Sequence, residues 1–269
     1  MTNSTQFKDQ VVLVTGASSG IGKAAAIEYA KRGARVIGAA RSIPKELEQE
    51  IQNLNLDIQF YKMDVSIEAD VNTLVDSIVE KYGRLDIAFN NAGISGVHAP
   101  IVNAELKDWD NIISVNLTSN FLLMRAEVRQ MLKQGSGSIV NTSSIGGLTG
   151  ASNLAAYAAS KSGLIGLSKV VAMEYARLGI RVNVVVPGYT LTPMTDKTST
   201  IISNFAEHSK EATPMHRGAD PLEIAHLAIW LSSSEASFVT GQVVAADGGY
   251  LLNGMPLAEK PTVQPLALH

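Results

Sequence analysis

Short apolar runs alternate with amphipathic stretches along most of the chain. Val11-Val12-Leu13-Val14, Arg35 to Ala40, Ile58 to Met63, Leu85 to Phe89, Gly137 to Ser144, Ile180 to Val186 and Gln242 to Ala246 are seven candidate strands. The first is continuously apolar, the pattern of a strand buried on both faces. Between strands, Val71, Leu74, Val75, Ile78, Val79 and Tyr82 recur at helical spacing and predict a helix with one core-facing stripe. Further helices are predicted up to Arg32 with Gly33 as the cap, over Pro44 to Leu54, along Trp109, Ile112, Ile113, Asn116 and Leu117, through the Ala-rich stretch around Tyr157, and from about Pro221 to Leu231. Strands and helices in this rhythm imply an α/β fold with a parallel sheet and right-handed crossovers. Its ligand crevice lies beyond the C-terminal strand ends. Residues 190–217 are polar with few strand or helix signals before Ser203, which predicts a long lid. No repeat or second domain is visible, so residues 1–250 read as one domain. Residues 251–269, with Pro256, Pro261 and Pro265 and little charge, read as a tail that is either disordered or packed on a neighbouring subunit.

Composition narrows the classes. The chain has 269 residues, 46% apolar and 17% charged, enough for a large globular core. A net charge of −3 offers no basic surface for nucleic acid. There are no cysteines, which excludes disulfides and thiolate chemistry, and His98, His208, His216, His226 and His269 show no metal-ligand spacing. No metal site is expected. The first ten residues lack an apolar signal core and no run of about 18 apolar residues occurs, so the expectation is a cytoplasmic protein without a membrane span.

The chemistry-bearing residues fall at strand ends. Thr15-Gly16-Ala17-Ser18-Ser19-Gly20-Ile21-Gly22 links the first strand to a helix. Glycines allow a sharp turn and close approach, and the free amides of the helix N-terminus then face a phosphate. The spacing is GxxxGxG rather than the commoner GxGxxG. The second strand ends in Ala39-Ala40-Arg41-Ser42, without the acidic residue that bonds the ribose 2′-hydroxyl in NAD binders. Arg41 and Ser42 sit where a 2′-phosphate would lie, and a guanidinium grips phosphate bidentately; a solvated loop arginine is the alternative. The fourth strand runs into Asn90-Asn91-Ala92-Gly93, small enough to lie against a bound ring, and the fifth ends in Asn141-Thr142-Ser143-Ser144. Asn116 is an amide in an apolar stripe and, if buried, must be hydrogen-bonded, whether structural or functional. Tyr157 and Lys161, at i and i+4, share a helix face. An ammonium beside a phenol favours the phenolate, so the pair predicts a tyrosine tuned to move a proton near neutral pH. Alone, it equally fits an exposed pair on a packing helix.

Taken together, Thr15-Gly16…Gly20…Gly22, Asp64, Asn90-Asn91-Ala92-Gly93, Asn116, Ser144, Tyr157, Lys161 and Pro187-Gly188…Thr192…Met194 resemble the short-chain dehydrogenase/reductase family over roughly residues 8–250. The resemblance implies a Rossmann-like, doubly wound, seven-stranded parallel sheet with helices on both faces. It implies a nicotinamide cofactor and hydride transfer to or from a ketone, aldehyde or secondary alcohol. Asn116, Ser144, Tyr157 and Lys161 would form the catalytic tetrad, the spacing to Tyr157 favouring Ser144 over Ser143. Tyr157 would be the acid, Ser144 the partner of the reacting oxygen, and Asn116 the holder of a relay water. Lys161 would lower the Tyr157 pKa and bind the nicotinamide ribose. Gly16, Ser18, Ser19, Gly20, Ile21 and Gly22 would hold the pyrophosphate, Asp64 with Val65 the adenine, and Asn91, Ala92 and Gly93 the cofactor's inner face. Pro187, Gly188, Thr190 and Thr192 would hold the carboxamide. Ala40 departs from the NAD-type pattern, which favours NADP(H) over NAD(H). Ser95, His98, Ser144, Asn153, Tyr189 and Met194 are the candidate substrate pocket, His98 being either a polar substrate contact or a surface-loop histidine, and the lid composition suggests an apolar, modest-sized substrate. The family also suggests a homotetramer, compatible with apolar Leu164, Leu167, Val171 and Tyr175. Three alternatives stay open. A 3-oxoacyl-(acyl-carrier-protein) reductase would need a basic patch, for which Arg125, Arg129 and Lys133 are candidates. A sugar dehydrogenase of glucose type would suit the same tetrad. A non-catalytic redox sensor would have no need of all four residues.

Overall fold

The structure, a computed structural model, describes residues 5–252. Seven strands form one parallel sheet in the order β3-β2-β1-β4-β5-β6-β7: β1 (Val11–Thr15), β2 (Arg35–Ala40), β3 (Ile58–Lys62), β4 (Ile87–Asn90), β5 (Gly137–Thr142), β6 (Ile180–Pro187) and β7 (Val243–Ala246). The order reverses between β1 and β4, and a crevice opens there at the carboxyl ends of the strands. Adjacent residues of β1 serve opposite faces. Val11 and Leu13 join Leu74 and Ile78 of α3 (Glu68–Tyr82), Leu123 and Met131 of α5 (Ser119–Gln134) and Leu164 of α7 (Ala155–Tyr175). Val12 and Val14 join Ala25 and Tyr29 of α1 (Gly20–Lys31) and Ile224 and Ala228 of α10 (Pro221–Ser232). A strand covered by helices on both sides has no polar face to alternate, which is why its sequence is apolar throughout.

Two polar devices fasten the α1/α10 layer. The fully buried Tyr29 hydroxyl meets Ser232 Oγ at 2.8 Å, so this phenol is hydrogen-bonded in the core. Arg181 on β6 donates to the carbonyls of Leu231, Ser232, Ser233 and Val239, which satisfies the C-terminal end of α10 with a cation at the negative end of its dipole.

The polar lid region is more ordered than its sequence suggests. It contains α8 (Pro193–Ile201) and α9 (Phe205–Glu211), numbered after α2 (Lys45–Asn53), α4 (Leu106–Ile113) and the one-turn α6 (Gly146–Thr149). Its threonines are weak helix formers, but Thr192 and Thr195 make a reciprocal cap with Pro193 at the first helical position. Asn204, in the left-handed region at φ 57°, breaks α8 from α9. The second difference lies at Asn116. The stripe beginning at Trp109 is not one continuous α-helix: α4 gives way to a π-helical turn over Ser114–Thr118 before α5 begins. Smaller differences are at strand ends, where Leu85 precedes β4 and Gln242 precedes β7. The tail from residue 253 lies outside the described residues. No described helix is long and apolar enough to cross a membrane.

Candidate active site

The ends of β1, β4, β5 and β6 converge on a cleft of about 830 Å³. Thr15, the last residue of β1, is fully buried, and its Oγ1 accepts from the amides of Asn91 (3.0 Å) and Ala92 (3.1 Å). One hydroxyl therefore fixes the β4 exit against the glycine loop. Gly22 is held in the same way: a Cβ there would stand 2.2 Å from the Gly16 carbonyl oxygen and 2.6 Å from Asn91 Nδ2. Gly22 is thus a close-approach glycine of α1 and does not line the cleft, unlike Gly16, Ser18, Ser19, Gly20 and Ile21. Ser19, the N-cap of α1, makes no side-chain cap bond, which leaves first-turn amides available to an anion.

Arg41, Ser42, Asp64 and Val65 line the outer end of the cleft. The Ser66 hydroxyl, then the Ser66 amide, then the charge of Arg41 hold the Asp64 carboxyl below its usual range. Arg41 is exposed and forms no ion pair among the described residues. At the inner end, Asn91, Ala92, Gly93, Pro187, Gly188, Thr190 and Thr192 complete the wall. A Cβ on Gly93 would come within 3.3 Å of both Lys161 Nζ and Asn116 Oδ1, filling the space before the lysine. Free helix amides, a cation beside an ionised aspartate and a glycine-lined floor fit a dinucleotide in chemistry.

The two adjacent serines separate cleanly. Ser143 is buried and its Oγ donates to the Lys161 carbonyl at 2.9 Å, turned away from the cleft chemistry. Ser144 Oγ accepts from the Gly146 amide at 3.2 Å, which leaves its proton free, and it hydrogen-bonds the Tyr157 phenol. Tyr157 and Lys161 sit one turn apart on α7, the Lys161 Nζ 5.8 Å from the Tyr157 ring centroid. Lys161 is 4% exposed and its ammonium donates to the Thr142 carbonyl at 2.8 Å. Burial pushes Lys161 down to about 8. The expected lowering of the Tyr157 pKa is not what this arrangement produces: burial raises it, with the Ser144 hydrogen bond offsetting only part. Desolvation of the fully buried phenol is the largest contribution and sets the direction.

Asn116 is fully buried behind the cleft wall rather than on it. Its Nδ2 donates to the Ile94 carbonyl (2.9 Å) and reaches Ser160 Oγ (3.3 Å), while its Oδ1 accepts from the Ile94 amide (2.9 Å). Its own carbonyl accepts from Asn120 Nδ2 at 2.8 Å. The π turn thus gives Asn116 a positioning task, the clamping of the chain just after Gly93. A π turn at a functional site is a recurrent device, and no apolar periodicity announces it.

Ser95, His98, Ser144, Tyr189 and Met194 line the substrate end of the cleft, as does the lid. Asn153 does not. It is exposed with φ 64°, and its carbonyl accepts from the Ala99 amide at 2.9 Å, tying two loops together. Ile202, Phe205, His208 and Tyr250 also line the cleft and were missed, because the helices that bring the first three there are hidden in a polar stretch. Phe205 stands edge-on to Tyr189 with centroids 5.7 Å apart.

Residues 16–251 match the family described as Enoyl-(Acyl carrier protein) reductase. A 3-oxoacyl-(acyl-carrier-protein) reductase of Thermotoga maritima is 41% identical over 251 residues, covering 92% of this chain and 100% of the relative. The chain belongs to the short-chain dehydrogenase/reductase family. This family member is also 38% identical over 250 residues to a cyclohexanol dehydrogenase of Acinetobacter sp. strain SE19, with 92% and 97% of the two chains covered. The crystal structure of a levodione reductase superposes on it with a TM-score of 0.87 at 36% identity, covering 92% of this dehydrogenase and 99% of that chain. The short-chain dehydrogenase/reductase described here is an NAD(P)-dependent oxidoreductase that acts on C=O and CH–OH groups. Among its described residues no cluster of three or more His, Asp or Glu side chains has the arrangement to hold a metal ion.

Proposed function

We propose that the enzyme is an NADP(H)-preferring reductase of modest-sized ring ketones, reversible with the secondary alcohols, in which Tyr157 moves the proton. The observation that carries this reading is the meeting of Ser144, Tyr157 and Lys161 on one cleft wall. The chemistry supplied by a nicotinamide cofactor in this cleft is hydride transfer at the carbonyl carbon. Tyr157, kept protonated by burial, donates its phenolic proton to the carbonyl oxygen in reduction. Ser144 donates a hydrogen bond to the same oxygen and steadies its developing charge. Lys161 holds the ribose end and, through Thr142, is fixed to the end of β5. Asn116 keeps the Gly93–Ile94 backbone in place, so that any relay water would meet an ordered wall.

The NADP(H) preference is supported by Arg41 and Ser42 at the cleft end with no carboxylate at position 40. Ring ketones are supported by an apolar substrate end, with Ile94, Leu154, Met194, Ile202 and Phe205, and by the cyclohexanol dehydrogenase among the relatives. A carrier-linked substrate is the second reading, favoured by the 41% identical Thermotoga relative. Its expected basic patch finds little support: Arg125 is ion-paired with Glu68, and α5 carries Arg129 and Lys133 away from the cleft toward the start of β5. The enzyme would be a cytoplasmic homotetramer with Val170 and Met173 of α7 at a subunit contact. Leu164 is in the core, and Leu167, Val171 and Tyr175 are half-buried and pack against the core. NADPH consumption with cyclohexanone, a 3-oxoacyl thioester and glucose in parallel tests the reading. Turnover of cyclohexanone with NADPH well above NADH is expected; turnover confined to the thioester or the sugar would overturn it.

A further inference from the structure

The β4–α4 segment carries a histidine that the chain leaves without a partner. Two anchors hold it in place. Gly96, at φ +77°, lies under Ile112, whose Cδ1 would be 2.1 Å from any Cβ there, so only glycine fits. Ala99 N is tied to the Asn153 carbonyl at 2.9 Å across the cleft mouth. Between the anchors His98 borders the cleft beside Ser95. Both ring nitrogens are shielded from solvent and neither has a hydrogen-bond partner. That is an expensive state for a polar ring, since each buried unpaired atom forfeits the bond it had in water. Burial also lowers the His98 pKa, so the ring is neutral near pH 7 and has one donor and one acceptor nitrogen. Thr142 also has an unpartnered buried atom at the cleft, its hydroxyl, but it sits under Lys161 at the end of β5. The reacting oxygen already has Ser144 and Tyr157.

We propose that His98 selects ring ketones and alcohols that carry a second oxygen function, a hydroxyl or a carbonyl, by pairing that oxygen with its imidazole. A small turn of the side chain brings a nitrogen into the cleft, and the bond it forms there replaces one that is missing in the resting arrangement. An unsubstituted ring gains nothing from the histidine. This inference rests on the reading of the cleft as a ring-ketone site and adds to it the recognition of a second polar group.

The test compares kcat/KM with NADPH for cyclohexanone, the hydroxycyclohexanones and the cyclohexanediones in the wild type, His98→Phe and His98→Gln. NADPH affinity, followed by fluorescence, checks that each variant keeps its cofactor site. The wild type is expected to favour at least one oxygenated ring by about tenfold, the worth of one good hydrogen bond. His98→Phe should remove that preference, so that within the variant kcat/KM for the oxygenated ring falls to the level of cyclohexanone, and His98→Gln should restore part of it. Turnover of cyclohexanone without a preference, or a preference that survives His98→Phe, overturns the role of His98 and leaves the ring-ketone reading standing. No turnover of any ring ketone overturns both.

Discussion

Lys161 and Glu127 are both ionisable side chains buried beside the ends of β4 and β5, and burial drives both to about 8 from opposite directions. Their surroundings differ. Lys161 opens on the cleft, where its ammonium has the Thr142 carbonyl, the Tyr157 ring and space in front of Gly93. Glu127 is sealed under the sheet. Its Oε2 accepts from Asn90 Nδ2 at 3.0 Å, and Asn90 Nδ2 also donates to Asn141 Oδ1 at 3.0 Å, whose amide reaches Ser168 Oγ at 2.9 Å. Glu127 forms no ion pair among the described residues, and its Oε1 has no partner. The same desolvation thus creates a usable proton site where a ligand can approach and a merely neutral side chain where none can. A shifted pKa is a pointer to chemistry only when the group also faces a cavity.

The comparison breaks first at the phenol. Tyr157→Phe should lower ketone reduction by about a thousandfold, the middle of the range for a lost general acid, with NADPH binding kept within a few-fold by fluorescence titration. Ser144→Ala should cost about a hundredfold in kcat, because it removes one donor to the reacting oxygen. Arg41→Ala should reduce the NADPH-over-NADH preference in kcat/KM by about tenfold and leave NADH kinetics nearly untouched.

The smallest effect separates the two buried groups by stability. Below pH 4.5 Glu127 is protonated in both folded and unfolded chains; from 4.5 to about 8 only the folded chain keeps its proton, so stability falls as pH rises across that window. Lys161 acts above it. From about 8 to 10.5 the folded chain has lost the lysine proton and the unfolded chain has not, so stability rises with pH. Each slope is at most about 1.4 kcal/mol per pH unit, or a few degrees in Tm. Melting curves of Glu127→Gln should lose the lower slope and keep the upper one; an unchanged lower slope would assign it to another group.

What was legible in the sequence follows from which interactions are local. The apolar run Val11–Val14, the glycine turn and α1 are adjacent in the chain, and they fold as read. The i, i+4 pair Tyr157 and Lys161 needed only helical geometry. α8 was hidden because its signal is a cap, Thr192 with Pro193, rather than an apolar stripe. The π turn at Asn116 depends on the distant Ile94 backbone, and the state of His98 depends on what fails to reach it. Glu127 sits among Arg125, Arg129 and Gln130 on α5, in a stretch that does not mark it as buried, and finds Asn90 only when the sheet forms. The pKa direction of Tyr157 misled for a related reason: spacing reveals the nearby lysine and conceals the burial that outweighs it.

The most direct test of the claim that proton transfer belongs to the cleft-facing cluster is the pH profile of kcat for ketone reduction in the wild type and in Glu127→Gln. With Tyr157 held protonated by burial, reduction should be flat through neutral pH and fall only in alkali, along the same curve in both proteins. A profile that shifts when Glu127 is replaced would place the sealed carboxyl in the proton path and contradict the account.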